Sequence, residues 1–416
     1  MSVEPELLLR AGPAAHGGAT IAHDSGRTYL VYYALPGELV EARPRGRRGG
    51  LTYASAERVL EAASTRVKPA CPYFGTCGGC QWQHAVYPQQ LEIKRQVVAE
   101  AWHRAGLRLP LDTPILAMAD PWRYRIRGEF EGRYDGGPFE LGFHRMRSHR
   151  VLPVRTCPIH DERVEAAMLA FRQAVEAAGV QGLTSLLLTV EPTGRGLLWR
   201  CRWKNPRQAA AEPELAAAVA ELLPEQVLLD DAMTLSFWDL SFRCRSDTFL
   251  QTNYRQMLVL YEAVLDMLAA GPGDAVLDLY SGIGSISLAV ARQAGSVTAV
   301  EENPAAVKLA QLNARINLSR NFRILPGRVE AALRQVRLGQ HQAVVLDPPR
   351  AGCEPAAIAE LLRLGCERLV YVSCEPSTQA RDLALLVQGG YRVRRAALVD
   401  MFPQTYHVES VALLER

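Results

Sequence analysis

Beyond about residue 244 the chain alternates short, unbroken apolar runs with amphipathic stretches. AVLDLY (275–280), VTAVE (297–301), AVVLDPP (343–349), LVYVS (369–373) and SVALLE (410–415) are the apolar runs. Runs this short, without polar alternation, predict strands buried on both faces. The segments between them, such as 304–317 and 377–389, place apolar residues at helical spacing. Strand, glycine turn and helix in repetition predict an α/β fold. Its centre would be a Rossmann-like, doubly wound parallel sheet, with ligands at the carboxyl ends of the strands.

The pattern upstream is different. Residues 19–48 carry a turn at His23-Asp24-Ser25-Gly26, a β-branched and aromatic run from Tyr29 to Tyr33, and Pro-Gly punctuation. Several short strands in so little chain predict a small β-barrel of the OB type over 1–66. Between the two lies a segment with both periodicities. Residues 88–106 put Leu91, Val98, Ala101 and Trp102 on one helix face, and 161–179 reads as a packing helix. Residues 122–160 alternate aromatic or aliphatic residues with arginines, which is a strand pattern. The expected organisation is a barrel (1–66), an α+β central domain (67–243) and a nucleotide-binding domain (244–416).

Composition changes this picture little; the distribution of charge changes it more. A length of 416 residues suits two or three domains, and a net charge of +3 does not by itself announce a nucleic-acid binder. Arginines are nevertheless clustered: Arg43, Arg45, Arg47 and Arg48 beside three glycines, then Arg123, Arg125, Arg127, Arg145, Arg147 and Arg150 among aromatics. The first cluster reads either as a solvated loop or as an RNA contact, and the second suits phosphates and unstacked bases. No apolar run approaches the about 18 residues of a membrane span, and MSVEPELLLRAG has no basic leader, so a soluble, cytoplasmic protein is expected. The nine cysteines are too few and uneven for a disulfide scaffold. Cys71, Cys77 and Cys80 crowd together and Cys157 follows, a set that fits either tetrahedral zinc or an iron–sulfur cluster. The first spacing, Cys-x5-Cys, is less typical of zinc.

Candidate chemistry gathers at the predicted strand ends. In 276-VLDLYSGIGSISLAVA-291 a Gly-x-Gly turn follows a strand, but Ser287 stands where a dinucleotide fingerprint wants a third glycine. Asp278 before the turn suits a cationic ligand better than a phosphate. Glu301, 17 residues after Gly284 (301 − 284), is placed to accept ribose hydroxyls. Together these favour S-adenosylmethionine, with another nucleotide as the alternative. Asp347 opens an Asp-Pro-Pro corner able to hold a flat ring, and Cys374 lies at the lip of a strand in 371-YVSCEPSTQARDL-383. A lone cysteine there is more often a small core residue than a nucleophile.

Taken with YRIRGEF, LGFHR, TCPIH, 247-DTFLQTN-253, LDLYSGIG, LDPPRAG and 402-FPQTYHVESVALLER-416, these motifs run almost end to end. In that order they resemble the RNA uracil-5-methyltransferase family, in its 23S ribosomal RNA branch with an N-terminal TRAM barrel and an iron–sulfur cluster. The resemblance implies formation of 5-methyluridine. Cys374 would attack uracil C6, the methyl group would pass from S-adenosylmethionine to C5, and Glu409 would remove the C5 proton. It further implies cofactor contacts from Gln251, Tyr280, Glu301 and Asp347, with Ser285 and Gly282 lining the turn. It assigns a [4Fe–4S] cluster to Cys71, Cys77, Cys80 and Cys157, zinc being the alternative. RNA, probed as a flipped-out uridine, is the implied partner; no membrane and no obligatory protein partner is implied. The chain departs from the family at Ser281, more often Cys, and at Glu375, more often Asn or Asp. His407 is a rival base. Competing readings are a transfer-RNA methyltransferase, a cytosine-5 enzyme, a catalytically silent RNA-binding scaffold and a redox sensor. Against the cytosine enzyme stands Asp-Pro-Pro-Arg in place of Pro-Cys.

Overall fold

The computed structural model describes residues 7–134, 137–337 and 339–416. The six N-terminal residues, part of the segment read as lacking a leader, lie outside them, as do Asp135 and Gly136 of the arginine-rich stretch. Among the described residues no helix is long and apolar enough to cross a membrane.

All five apolar runs of the C-terminal half form strands of one eight-stranded sheet. Its order is Phe322–Pro326, Ser296–Glu301, Ala275–Leu279, Ala343–Leu346, Arg368–Ser373, Glu409–Glu415, Arg392–Val399 and Ile115–Leu116. The first five strands run parallel with helical crossovers, as expected. The expectation of a wholly parallel sheet fails at Glu409–Glu415, which is antiparallel to both neighbours. The reason is length. Only residues 400–408 join it to Arg392–Val399, too few for the helical crossover that a parallel pair requires. Reversal brings the first residue of this strand, Glu409, to the edge where the parallel strands end.

At the N-terminus five strands pair in the order Leu7–Arg10, Leu39–Arg48, Leu51–Glu61, Arg27–Tyr32 and Ala19–Asp24. Two backbone bonds bring the two ends of this sheet together: Gly12 N–H to Ile21 O at 2.7 Å and Ile21 N–H to Pro13 O at 2.9 Å. Leu9, Val31, Val40, Ala42 and Ala54 fill the space inside. The arginines 43–48 sit on a long hairpin strand instead of a flexible loop, and Arg45 pairs with Glu57 across it.

A six-stranded sheet follows, with helices Glu162–Ala177 and Glu212–Leu222 packed together on it. Two parts of the segment 67–243 lie on the C-terminal sheet instead. Strand Ile115–Leu116 forms its edge, and helix Tyr87–Arg104 packs on Pro376–Gln388. Periodicity predicts that helix to within two residues, but it buries Gln90 and Lys94 along with Ile93, Val97, Val98 and Trp102. These polar groups have specific partners. Lys94 forms a fully buried ion pair with Asp400 and also donates to Phe402 O at 2.9 Å. Tyr87 OH donates to the other Asp400 oxygen at 2.8 Å, and Gln90 exchanges bonds with Gln404.

Burial pulls Lys94 below its ordinary pKa, and Asp400 opposes that shift. Lys94→Met leaves a buried carboxylate without its cation, so it should lower the unfolding free energy by about 3–5 kcal/mol. Adding Asp400→Asn should recover part of the loss in denaturant titrations. A cost below about 1 kcal/mol for the single variant would place the pair among weak surface contacts.

Candidate active site

Strand register gathers the candidate residues. Leu279 pairs with Val300 and Leu346, Leu346 with Tyr371, and Ser373 with Ser410. Tyr280, Glu301, Asp347 and Cys374 therefore emerge along one edge. The last pairing sets Cys374 beside the start of the antiparallel strand, where Glu409 is buried.

A narrow pocket of about 60 Å³ lies at this edge and is lined by Gln251, Tyr280, Ser285 and Asp347 with Asp278. Its floor is the glycine turn. Tyr280, Gly282 and Gly284 all have left-handed backbones (φ 63°, 56° and 84°), and for Tyr280 that is a strained conformation. Ser285 Oγ lies 2.8 Å from Tyr261 OH. Glu301 stands beside the pocket: its two oxygens accept from Gly282 N–H at 2.9 Å and Asn303 N–H at 2.7 Å. Each oxygen keeps a further lone pair for a ligand hydroxyl. Ser287, where the third glycine was wanted, donates to the buried Asp278. Ser281 is also accommodated, since its hydroxyl and N–H both bond Val300 O.

The carboxyls here are held towards their neutral forms. Burial raises Asp347 to about 6 and Asp278 to about 7. Glu409 is raised to about 8, first by burial and then by Asp347, with Arg350 opposing. The half-buried Cys374 thiol is pushed up to about 11 by burial, then by Glu409 and Asp347; the positive charge of Arg350 pulls it down. Arg350 is the main residue that sequence reasoning missed. Its signal was the last letter of Asp-Pro-Pro-Arg. Phe249, in the quoted DTFLQTN, was also passed over; it is 76% exposed and lines the pocket. His407 is a poor base, because burial lowers it to about 3. Its ring lies 4.0 Å from that of Tyr406.

Cys71, Cys77, Cys80 and Cys157 face a separate cavity of about 150 Å³, together with Arg125 and His160. Among the described residues no three His, Cys, Asp or Glu side chains converge tightly enough to hold a single metal ion. The arginines divide into two sets, so the arginine-rich stretch, read as suiting phosphates and unstacked bases, does not act as one group. Arg127 donates to Thr248 O at 3.1 Å and to Ser246 O, while Arg123 pairs with Glu165 at 3.3 Å, because buried carbonyls and carboxylates there need donors. Arg145, Arg147 and Arg150 instead face Arg45, Arg47 and Arg48 across a cleft of about 730 Å³. In it the Arg147 guanidinium lies 3.6 Å from the centre of the Tyr53 ring and 5.8 Å from that of Tyr32.

A family model described as tRNA (Uracil-5-)-methyltransferase matches residues 217–416. The 23S rRNA (uracil(1939)-C(5))-methyltransferase of Pseudomonas entomophila is 34% identical, over 96% of this chain and 92% of its own. The chain belongs to the RNA (uracil-5-)-methyltransferase family. An uncharacterized RNA methyltransferase of Gloeobacter violaceus is 35% identical over 100% of this chain and 99% of its own. The fold matches that of the Pyrococcus abyssi tRNA (uracil-54, C5)-methyltransferase, solved with S-adenosyl-L-homocysteine. That match has a TM-score of 0.74 at 22% identity and covers 98% of this chain and 99% of that one.

The raised pKa of Glu409 has a consequence for stability. The folded protein holds this proton more tightly than the unfolded chain, so the contribution is complete below the ordinary value of 4.5 and is lost as pH rises through about 8. Glu409→Gln does not titrate. Its Tm should exceed that of the wild type by about 2–4 °C near pH 8, and the gap should narrow towards pH 5. An equal gap at both pH values would contradict the assignment.

Proposed function

We propose that this chain methylates C5 of a uridine in RNA, with 23S ribosomal RNA as the substrate. The observation that carries the reading is the juxtaposition of Cys374 and Glu409 across paired strands, beside a pocket lined by Asp278 and Asp347. Ribosomal RNA is favoured because the Pseudomonas entomophila relative is named for it and matches over nearly the whole chain. A transfer-RNA substrate is the second reading, suggested by the description of the family model.

In this reading Gln251, Tyr280, Ser285, Glu301 and Asp347 hold S-adenosylmethionine, which supplies an electrophilic methyl group on a cationic sulfur. The carboxyls of Asp278 and Asp347 suit that charge. Uracil C5 is a weak nucleophile. Addition of the Cys374 sulfur to C6 turns the ring into an enolate and makes C5 reactive. The positive charge of Arg350 favours the thiolate that must form. After transfer, C5 carries both the methyl group and its original proton. Glu409 takes that proton, the C5–C6 double bond re-forms, and the C6–S bond breaks to release Cys374 as the thiolate. A carboxyl near 8 can gain and lose a proton close to neutrality, which suits this step.

The basic cleft supports the RNA reading. Arg45, Arg47, Arg48, Arg145, Arg147 and Arg150 offer charge to phosphates, and Tyr32 and Tyr53 offer ring faces to unpaired bases. An OB-like, TRAM-type barrel is the reading adopted for the N-terminal sheet. The division 1–66, 67–243 and 244–416 is the domain reading adopted, with Tyr87–Arg104 and Ile115–Leu116 noted as packing on the C-terminal sheet. For Cys71, Cys77, Cys80 and Cys157 the reading is a [4Fe–4S] cluster. Zinc would draw four sulfurs to within about 2.3 Å of one point. The thiolates of Cys71, Cys77, Cys80 and Cys157, spread around their cavity, would suit a four-iron cluster. Methyl transfer moves no net electrons, so the cluster would act as a cross-link.

Wild type and Cys374→Ala incubated with labelled S-adenosylmethionine and total RNA should differ by loss of labelled 5-methyluridine in the variant, and mapping the product identifies the RNA. Absence of product from the wild type, or undiminished product from the variant, refutes the mechanism. Anaerobic purification should give a coloured protein with about four irons per chain; a colourless protein with one zinc would reverse the cluster reading.

A further inference from the structure

Glu375, the departure that follows Cys374, is bound by a residue from the opposite end of the chain. His16 Nε2 lies 3.1 Å from Glu375 Oε2. Ser377 Oγ donates to the other oxygen at 2.9 Å, and the Glu375 N–H bonds Ser373 Oγ at 3.1 Å. The hydrogen bond to His16 is the largest of the causes that hold the Glu375 carboxyl below its ordinary pKa. His16 belongs to the connection between the first two strands of the small N-terminal sheet. That connection is held in shape by Ala15 N–H to Ala19 O at 2.8 Å and Ile21 N–H to Pro13 O at 2.9 Å. The imidazole stands edge-on to Tyr406 (5.1 Å between ring centres, 86° between planes), and Tyr406 packs on His407, two residues before Glu409. One side chain from the small sheet thus touches both segments that carry the candidate catalytic pair.

We propose that His16 is a positioning residue for methyl transfer: by pairing with Glu375 it fixes the Cys374–Glu375 corner and masks a carboxylate beside the nucleophile. The inference rests on the reading of Cys374 as that nucleophile. Thiolate formation here is already opposed by Glu409 and Asp347, with Arg350 working against them. A bare carboxylate at Glu375 would add to the opposition, because like charge disfavours the ionised thiol. Besides Glu375, the titratable groups packed against His16 are Tyr406 and, behind it, His407. The arrangement makes the N-terminal sheet part of the catalytic apparatus as well as a candidate RNA-binding surface.

The test compares full-length His16→Ala, His16→Gln, Glu375→Gln and His16→Ala/Glu375→Gln with wild type. Two quantities are measured near pH 8: alkylation of Cys374 by iodoacetamide without RNA, read by peptide mass spectrometry, and kcat and KM for methyl transfer. His16→Ala should slow Cys374 alkylation about fivefold and lower kcat by a similar factor, with both KM values within about twofold. His16→Gln, which keeps a donor for Glu375, should lose less. The double variant should return to the rate of Glu375→Gln, because the exposed carboxylate is gone. Faster alkylation in His16→Ala would signal a merely loosened corner and overturn the proposal, as would a double variant as slow as His16→Ala. Alkylation is read without turnover, so a wild type that makes no 5-methyluridine would defeat the proposed function while the His16 effect on the thiol was still measured.

Discussion

Lys94 and Asp400 are both buried, and their ion pair joins the helix that follows the cysteine-rich segment to the loop that leads into the strand of Glu409. That loop, residues 400–408, also receives Tyr87 at Asp400, Gln90 at Gln404, and the backbone N–H groups of Gln81 and Trp82 at Gln404 O. Few of its polar groups face water, so each needs a partner from elsewhere in the chain. The helix supplies several. Further along the same helix, Trp102 donates to Gln379, which in turn bonds Ser410, the neighbour of Glu409. The position of Glu409 is therefore set from three directions: strand pairing, the loop before it and the helix beneath it.

What was legible in the sequence was whatever a local pattern encodes. The five apolar runs became strands because no polar alternation offered them a solvent face, and Tyr280 and Asp347 fell together because strand ends in such a sheet share an edge, whereas Gln251 was named only by the family resemblance. Three things were not legible. The reversal of the last strand depends on the length of a connection, and apolar content says nothing about direction. Arg350 and Arg123 carry the same side chain, yet one lies near Cys374 and the other meets a pair of helix carboxylates, a distinction made by tertiary placement alone. The meeting of His16 with Glu375 spans most of the chain and leaves no periodic trace.

The edge itself poses an electrostatic problem that the fold solves by burial. Asp278, Asp347 and Glu409 approach one another where water is scarce, so ionising all three would be costly; protonation relieves the crowding. Arg350 supplies positive charge on the Cys374 side, and Ser287 gives Asp278 a hydrogen bond. A cationic ligand entering such a pocket would favour ionised carboxyls, so ligand binding and proton release are linked.

The raised pKa of the Cys374 thiol bears on how long a nucleophile at this position would survive. Peroxides and other oxidants attack thiolates, and a sulfur kept protonated by its surroundings reacts with them slowly. Between encounters with substrate the cysteine is thus chemically quiet, in contrast to redox-sensing cysteines, which are kept ionised. The same burial that makes this thiol hard to ionise would slow its oxidation between encounters with substrate.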